Sequence, residues 1–187
     1  MTGEEATVRV IGALHEARIA FMMVGSLSRN YYAFARSTKD ADIVMEADGD
    51  LVRSFFEHLP QGISLDPQVT FETVTGTTRQ ILTVEGSAFK IELFYLSDDP
   101  HDCERFQRRV AVKILDRECF IPTAEDVIVQ KLRWARGGRR GKDYDDARDV
   151  MAVQGHRLDF TYIRAWADRH GTLELMEEIH QSVAALF

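Results

Sequence analysis

Asp40-Ala41-Asp42-Ile43-Val44-Met45-Glu46 is the stretch whose reading decides the fold. It has the make-up of a strand, and residues two apart on a strand point to the same face, roughly 6.5–7 Å apart at the backbone. Asp40 and Asp42 are therefore expected side by side, where two carboxylates can grip one cation. Burying them without a cation would set like charges against each other and strip both of water. Mg²⁺ prefers such oxygen ligands and keeps places for waters and substrate phosphates. The pair alone equally suits an exposed loop or an edge strand kept soluble by charge.

Fifteen residues upstream of Asp40, Gly25-Ser26 follows directly on the apolar run Ile19-Ala20-Phe21-Met22-Met23-Val24. A buried strand running into such a turn can present backbone N–H groups and a hydroxyl to phosphates, or can simply connect strand to helix. Downstream, Phe89-Lys90-Ile91-Glu92-Leu93-Phe94-Tyr95 reads as a strand with Phe89, Ile91 and Leu93 on one face and Glu92 on the other. Glu92 is either a third metal-binding carboxylate or a solvent-facing residue paired with Lys90 or a neighbour.

The rest of the chain falls into place around these segments. Val8, Ile11 and Leu14 recur at helical spacing before the apolar run, and Ser26 is a candidate cap for a short helix over 27–35. Leu51, Phe55, Phe56 and Leu59 predict a helix stopped by Pro60, followed by a loop over 61–68. Residues 69–75, 80–85 and 89–96 predict an antiparallel meander, and 110–115 a further strand. Thr123, with Asp126 three residues on, opens a helix carrying Val127, Ile128, Lys131, Leu132 and Ala135 and ending at Gly137-Gly138. Helices are predicted over 144–153, 160–167 and 173–186. The chain thus divides into a mixed α/β first half, residues 1–118, and a helical second half, residues 119–187, and a cleft between such halves is a natural ligand site.

Composition narrows the function. With 187 residues, 45% hydrophobic and 28% charged, the chain can bury one real core. The longest apolar run is too short to cross a bilayer, and Met-Thr-Gly-Glu-Glu lacks the positive start of a secretion signal, which points to the cytoplasm and to no membrane partner. Cys103 and Cys119 have no Cys-x-x-Cys spacing and the six histidines are scattered, so a metal would sit on oxygen ligands. The net charge of −7 argues against wrapping a long nucleic acid. The one basic cluster, Arg133, Arg136, Arg139, Arg140 and Lys142, runs straight into Asp143, Asp145 and Asp146.

Taken together, Gly25-Ser26, Asp40-x-Asp42 and the later strand carboxylate Glu92 resemble the nucleotidyltransferase superfamily, which includes DNA polymerase beta, aminoglycoside nucleotidyltransferases, minimal nucleotidyltransferases and abortive-infection type toxins. The second half is similar to the toxin group, in which a helical Lys-Leu precedes Lys/Arg-Asp-x-x-Asp, here Lys131-Leu132 and Lys142-Asp143-Tyr144-Asp145-Asp146. The resemblance implies an α+β fold, a mixed sheet flanked by helices with a C-terminal helical subdomain. It implies transfer of a nucleoside monophosphate from a nucleoside triphosphate to an acceptor, which stays open between RNA, protein and a small molecule. Two Mg²⁺ ions would rest on Asp40, Asp42 and Glu92, with Glu92 also taking the nucleophile's proton. Gly25 and Ser26 would hold triphosphate oxygens, Lys131 would meet phosphate charge, and Asp143 and Asp146 would complete the nucleotide site. The same resemblance admits a toxin with an antitoxin partner, or a binding module that keeps the fold without the chemistry.

Overall fold

The computed structural model describes residues 1–136 and 141–184. Gly137-Gly138, Arg139 and Arg140, and the end of the last predicted helix, lie outside the described residues. The chain divides into two compact units, Met1–Leu27 with Ser37–Ile121, and Ser28–Arg36 with Pro122–Phe187.

The first unit opens with α1, Gly3–Glu16, started by a reciprocal cap. Thr2 Oγ1 accepts from the Glu5 amide, and Glu5 returns its carboxylate to the Thr2 amide. Six strands of the sheet follow: β1 (Ala20–Val24), β2 (Asp40–Glu46), β3 (Ile63–Leu65), β4 (Thr70–Glu72), β5 (Thr77–Val84) and β6 (Lys90–Tyr95). They form one sheet in the order β1-β2-β6-β5-β3, with β4 also on β5. Only β2 and β6 run parallel, so the sheet is mixed, and the chain between them supplies α3 (Gly49–Glu57) and the antiparallel β3 to β5.

Alternation gives this sheet two different faces. Phe21, Met23, Ala41, Ile43, Met45, Leu82, Ile91 and Leu93 are buried on one. On the other, Met22, Val24 and Val44 pack with Phe106 of α4 (Pro100–Gln107), with Phe94 against them, and Asp40, Asp42, Lys90, Glu92 and Arg79 lie on the same side. A hairpin of β7 (Val110–Ile114) and β8 (Arg117–Ile121) closes the unit.

Several elements depart from the sequence reading, among them β8, which pairs with β7 where the sequence predicts no strand. Ile63-Ser64-Leu65 forms β3 inside the expected loop, because it pairs with Leu82 to Val84. β5 begins at Thr77 rather than Gln80, where Thr77 and Arg79 pair with Glu72 and Thr70. The helix expected from Leu27 behind a Ser26 cap starts at Gly25, so Ser26 lies inside it. Helix α4 lies where the sequence reading predicts no element, although Asp99 caps it and Pro100 stands in its first turn.

The second unit combines the end of α2 (Gly25–Tyr32) with α5 (Ala124–Ala135), α6 (Gly141–Gln154), α7 (Phe160–Arg169) and α8 (Leu173–Ala184). Ile128, Leu132, Ala147, Val150, Ile163, Met176 and Ile179 are completely buried among them. Thr123 caps α5 as its spacing with Asp126 predicted, accepting from the Asp126 amide and donating to Asp126 Oδ2 at 2.8 Å. Thr123→Ala should cost about 1 kcal/mol, read as a lower denaturant midpoint at unchanged slope. Among the described residues no helix is long and apolar enough to cross a membrane.

Candidate functional site

The parallel register of β2 and β6 sets Asp42 opposite Glu92 and Asp40 opposite Lys90. Paired residues project to the same side, so Asp40, Asp42 and Glu92 share one face of the sheet. Asp40 Oδ1 accepts from the Thr38 hydroxyl at 2.7 Å, which orients it at the mouth of the strand. Across β5 the same face carries Arg79, whose Nη1 donates to Glu92 Oε2 at 2.7 Å while its Nε donates to Thr70 Oγ1 at 2.9 Å. Glu92 is thus paired, with Arg79 rather than with Lys90.

Gly25 stands against this face for a reason visible in its backbone. It has φ of +63°, and a Cβ built on it would lie 1.9 Å from Asp42 Oδ2. Only a residue without a side chain lets the chain turn from β1 into α2 directly beneath that carboxylate. Ser26, the next residue, is buried at 6% exposure.

The remaining predicted residues gather in the second unit. Lys131 Nζ lies 2.6 Å from Asp143 Oδ1 and 2.8 Å from Asp146 Oδ2. Asp146 also accepts three hydrogen bonds from Arg36, two to Oδ1 at 3.2 and 3.0 Å and one to Oδ2 at 2.8 Å. Arg29 Nε stands 3.1 Å from its Oδ1 and pairs with Asp149 as well. Burial alone would push the Asp146 carboxyl up, but hydrogen bonds from Arg36 and Lys131, with their charges, outweigh it and hold its pKa below the ordinary value. Arg29, Arg36 and Lys131 converge on Asp146, the hub of a cluster that also holds Asp143 and Asp149.

Sequence reasoning missed Arg29, Arg36 and Arg79. The two that grip Asp146 lie more than a hundred positions away in sequence, and Arg79 meets Glu92 diagonally across the β5–β6 register, where Arg79 faces Phe94 and Ile81 faces Glu92. The available signal for Arg79 was a lone cation in a β-rich run.

No family model and no curated protein matches the chain in sequence. Its fold does have solved counterparts. The solution structure of the antibiotic-resistance factor ANT(2'')-Ia matches with a TM-score of 0.60 at 14% identity, over 95% of this chain and 97% of that one. A crystal structure of ANT(2'')-Ia in complex with adenylyl-2''-tobramycin matches at 0.59 and 14%, over 89% and 98%. An antigenic nucleotidyltransferase-like protein from Paracoccidioides brasiliensis matches at 0.56 and 16%, over 95% and 92%. The chain has the nucleotidyltransferase fold.

A nucleotidyltransferase fold raises the question of a divalent ion, and the side chains answer it unevenly. Asp40 and Asp42 are hard oxygen donors two apart on one strand, which suits Mg²⁺. Glu92 already gives Oε2 to Arg79, and among the described residues no three His, Cys, Asp or Glu side chains come together to hold a metal ion. The aspartate pair fits the ion; the full carboxylate triad does not as it stands.

Proposed function

We propose that the chain is a Mg²⁺-dependent nucleotidyltransferase, moving a nucleoside monophosphate from a nucleoside triphosphate to an acceptor. The observation that carries this reading is the placing of Asp40, Asp42 and Glu92 on one sheet face with Gly25 turned beneath Asp42. Residues 1–118 form the α/β part that supplies this face, and residues 119–187 a helical subdomain.

Asp40 and Asp42 would hold the Mg²⁺, which when bound neutralises phosphate charge and orients the phosphoryl group being transferred. Gly25, which lets α2 start directly beneath the Asp42 carboxylate, and Ser26 would hold triphosphate oxygens at the N-terminus of that helix. Glu92 accepts the proton of the attacking group. Lys131 supplies positive charge, and Asp143 and Asp146 hold its ammonium in place.

The test is transfer of label from each nucleoside triphosphate with Mg²⁺ present. Asp42→Asn should lower turnover by about a thousandfold while the melting temperature holds; undiminished transfer in that folded variant would sink the assignment. Aminoglycosides head the acceptor panel, because ANT(2'')-Ia was captured with adenylyl-2''-tobramycin. RNA and protein form its other arms, and growth arrest on expression with transfer to RNA would mark a toxin.

A further inference from the structure

The face described above carries the carboxylates Asp40, Asp42 and Glu92 and, beside them, the cations Lys90 and Arg79. Arg79 is the one whose position is fixed from two sides. Its guanidinium is planar and permanently charged, its Nη1 meets Glu92 Oε2 at 2.7 Å, and its Nε is tied to Thr70 Oγ1 on the neighbouring strand. The pair is no loose surface contact, with side-chain exposures of 32% for Arg79 and 18% for Glu92. To leave Glu92, Arg79 must break both bonds.

A divalent cation on Glu92 would sit against this fixed positive charge, and at a few ångströms in a partly buried setting that repulsion is substantial. We infer that the Arg79 guanidinium stands in for a second divalent cation on Glu92, so that the site takes one ion, on Asp40 and Asp42, in place of two. Arg79 is then a residue that sets the metal stoichiometry. This rests on the metal reading of the aspartate pair and goes beyond it, since nothing in the family pattern of the sequence assigns Arg79.

Removing Arg79 takes one positive charge from this face and frees Glu92 Oε2 for the metal. The experiment is titration with Mn²⁺ alone, followed by the electron paramagnetic resonance of the free ion, on the full chain and its variants. Arg79→Gln should bind Mn²⁺ about tenfold more tightly, or acquire a second Mn²⁺ per chain, and the gain should vanish in Arg79→Gln/Glu92→Gln. Arg79→Met, which keeps no donor for Thr70, should show the same gain; a thermal melt confirms that each variant is folded. Unchanged or weaker Mn²⁺ binding in both Arg79 variants overturns the inference, as does a gain that survives loss of Glu92. Mn²⁺ binding that persists undiminished in Asp42→Asn overturns instead the metal reading on which it rests, so the two failures are told apart by which variant is silent.

Discussion

Gly25→Ala should abolish transfer while leaving a protein that still folds. The added Cβ would stand 1.9 Å from Asp42 Oδ2, far inside van der Waals contact, and the backbone there has φ of +63°, a region that costs an L-residue roughly 1–2 kcal/mol. Relief can come only from moving the Asp42 carboxylate or flattening the turn between β1 and α2. Either displaces the groups proposed to hold metal and triphosphate, and misplacements of about 1 Å at such sites cost on the order of a hundredfold. Kinetics should show a loss of at least that size, with a melting temperature a few degrees lower. Gly76, also at positive φ but with open space where a Cβ would go, is the control. Gly76→Ala should share the small stability loss and keep full activity. Equal activity in the two variants would refute the role given to Gly25.

Asp146→Ala should be among the most destabilising single substitutions in the second unit. It removes the carboxylate shared by Arg29, Arg36 and Lys131, of which Arg29 has a side chain only 2% exposed. Taking one partner from a buried ion pair leaves charge without compensation and costs roughly 3–5 kcal/mol. For a chain of this length that corresponds to a fall of about 10 °C in melting temperature. The pH dependence carries its own signature. Asp146 has a folded-state pKa below its unfolded value, so its contribution is complete above the unfolded carboxylate pKa and is lost as pH falls through the folded one. Wild type and Asp146→Ala should therefore differ most near neutrality and converge in acid. A constant gap in melting temperature across that range would show that the stabilisation is not carried by the ionised carboxylate.

Much of the sheet could be read from residues alone, and the reasons differ by segment. Strand β2 occupies Asp40–Glu46 as predicted, because Ala41, Ile43 and Met45 alternate cleanly into a buried face. That Asp42 and Glu92 lie opposite each other needed the parallel pairing of two strands nearly fifty residues apart, which no local pattern encodes. Strand β3 is three residues long and exists only through its pairing with β5, so Ile63-Ser64-Leu65 looked like loop. Helix α4 hid for the opposite reason. Its inward positions include His101, Asp102 and Arg105, so apolar periodicity was absent, and the legible cue was Asp99-Pro100 at its start. The candidate site divides likewise. Asp40, Asp42 and Glu92 were legible from strand spacing and Lys131, Asp143 and Asp146 from the family resemblance, whereas Arg29, Arg36 and Arg79 owe their places to tertiary pairing.

The helix α2 begins in one unit, with Gly25 to Leu27, and ends in the other, with Ser28 to Tyr32. This imposes a rule on how such chains can be cut and recombined. A fragment starting at Pro122 would inherit Asp143, Asp146 and Asp149 with Lys131 but neither Arg29 nor Arg36, the two arginines that pair with Asp146. A single crossover between related genes near residue 121 would likewise deliver acids from one parent and arginines from the other. The helical unit is therefore inherited in two pieces, and lineages that exchange it must carry the stretch 28–36 along with the C-terminal segment or lose the charge balance at its centre.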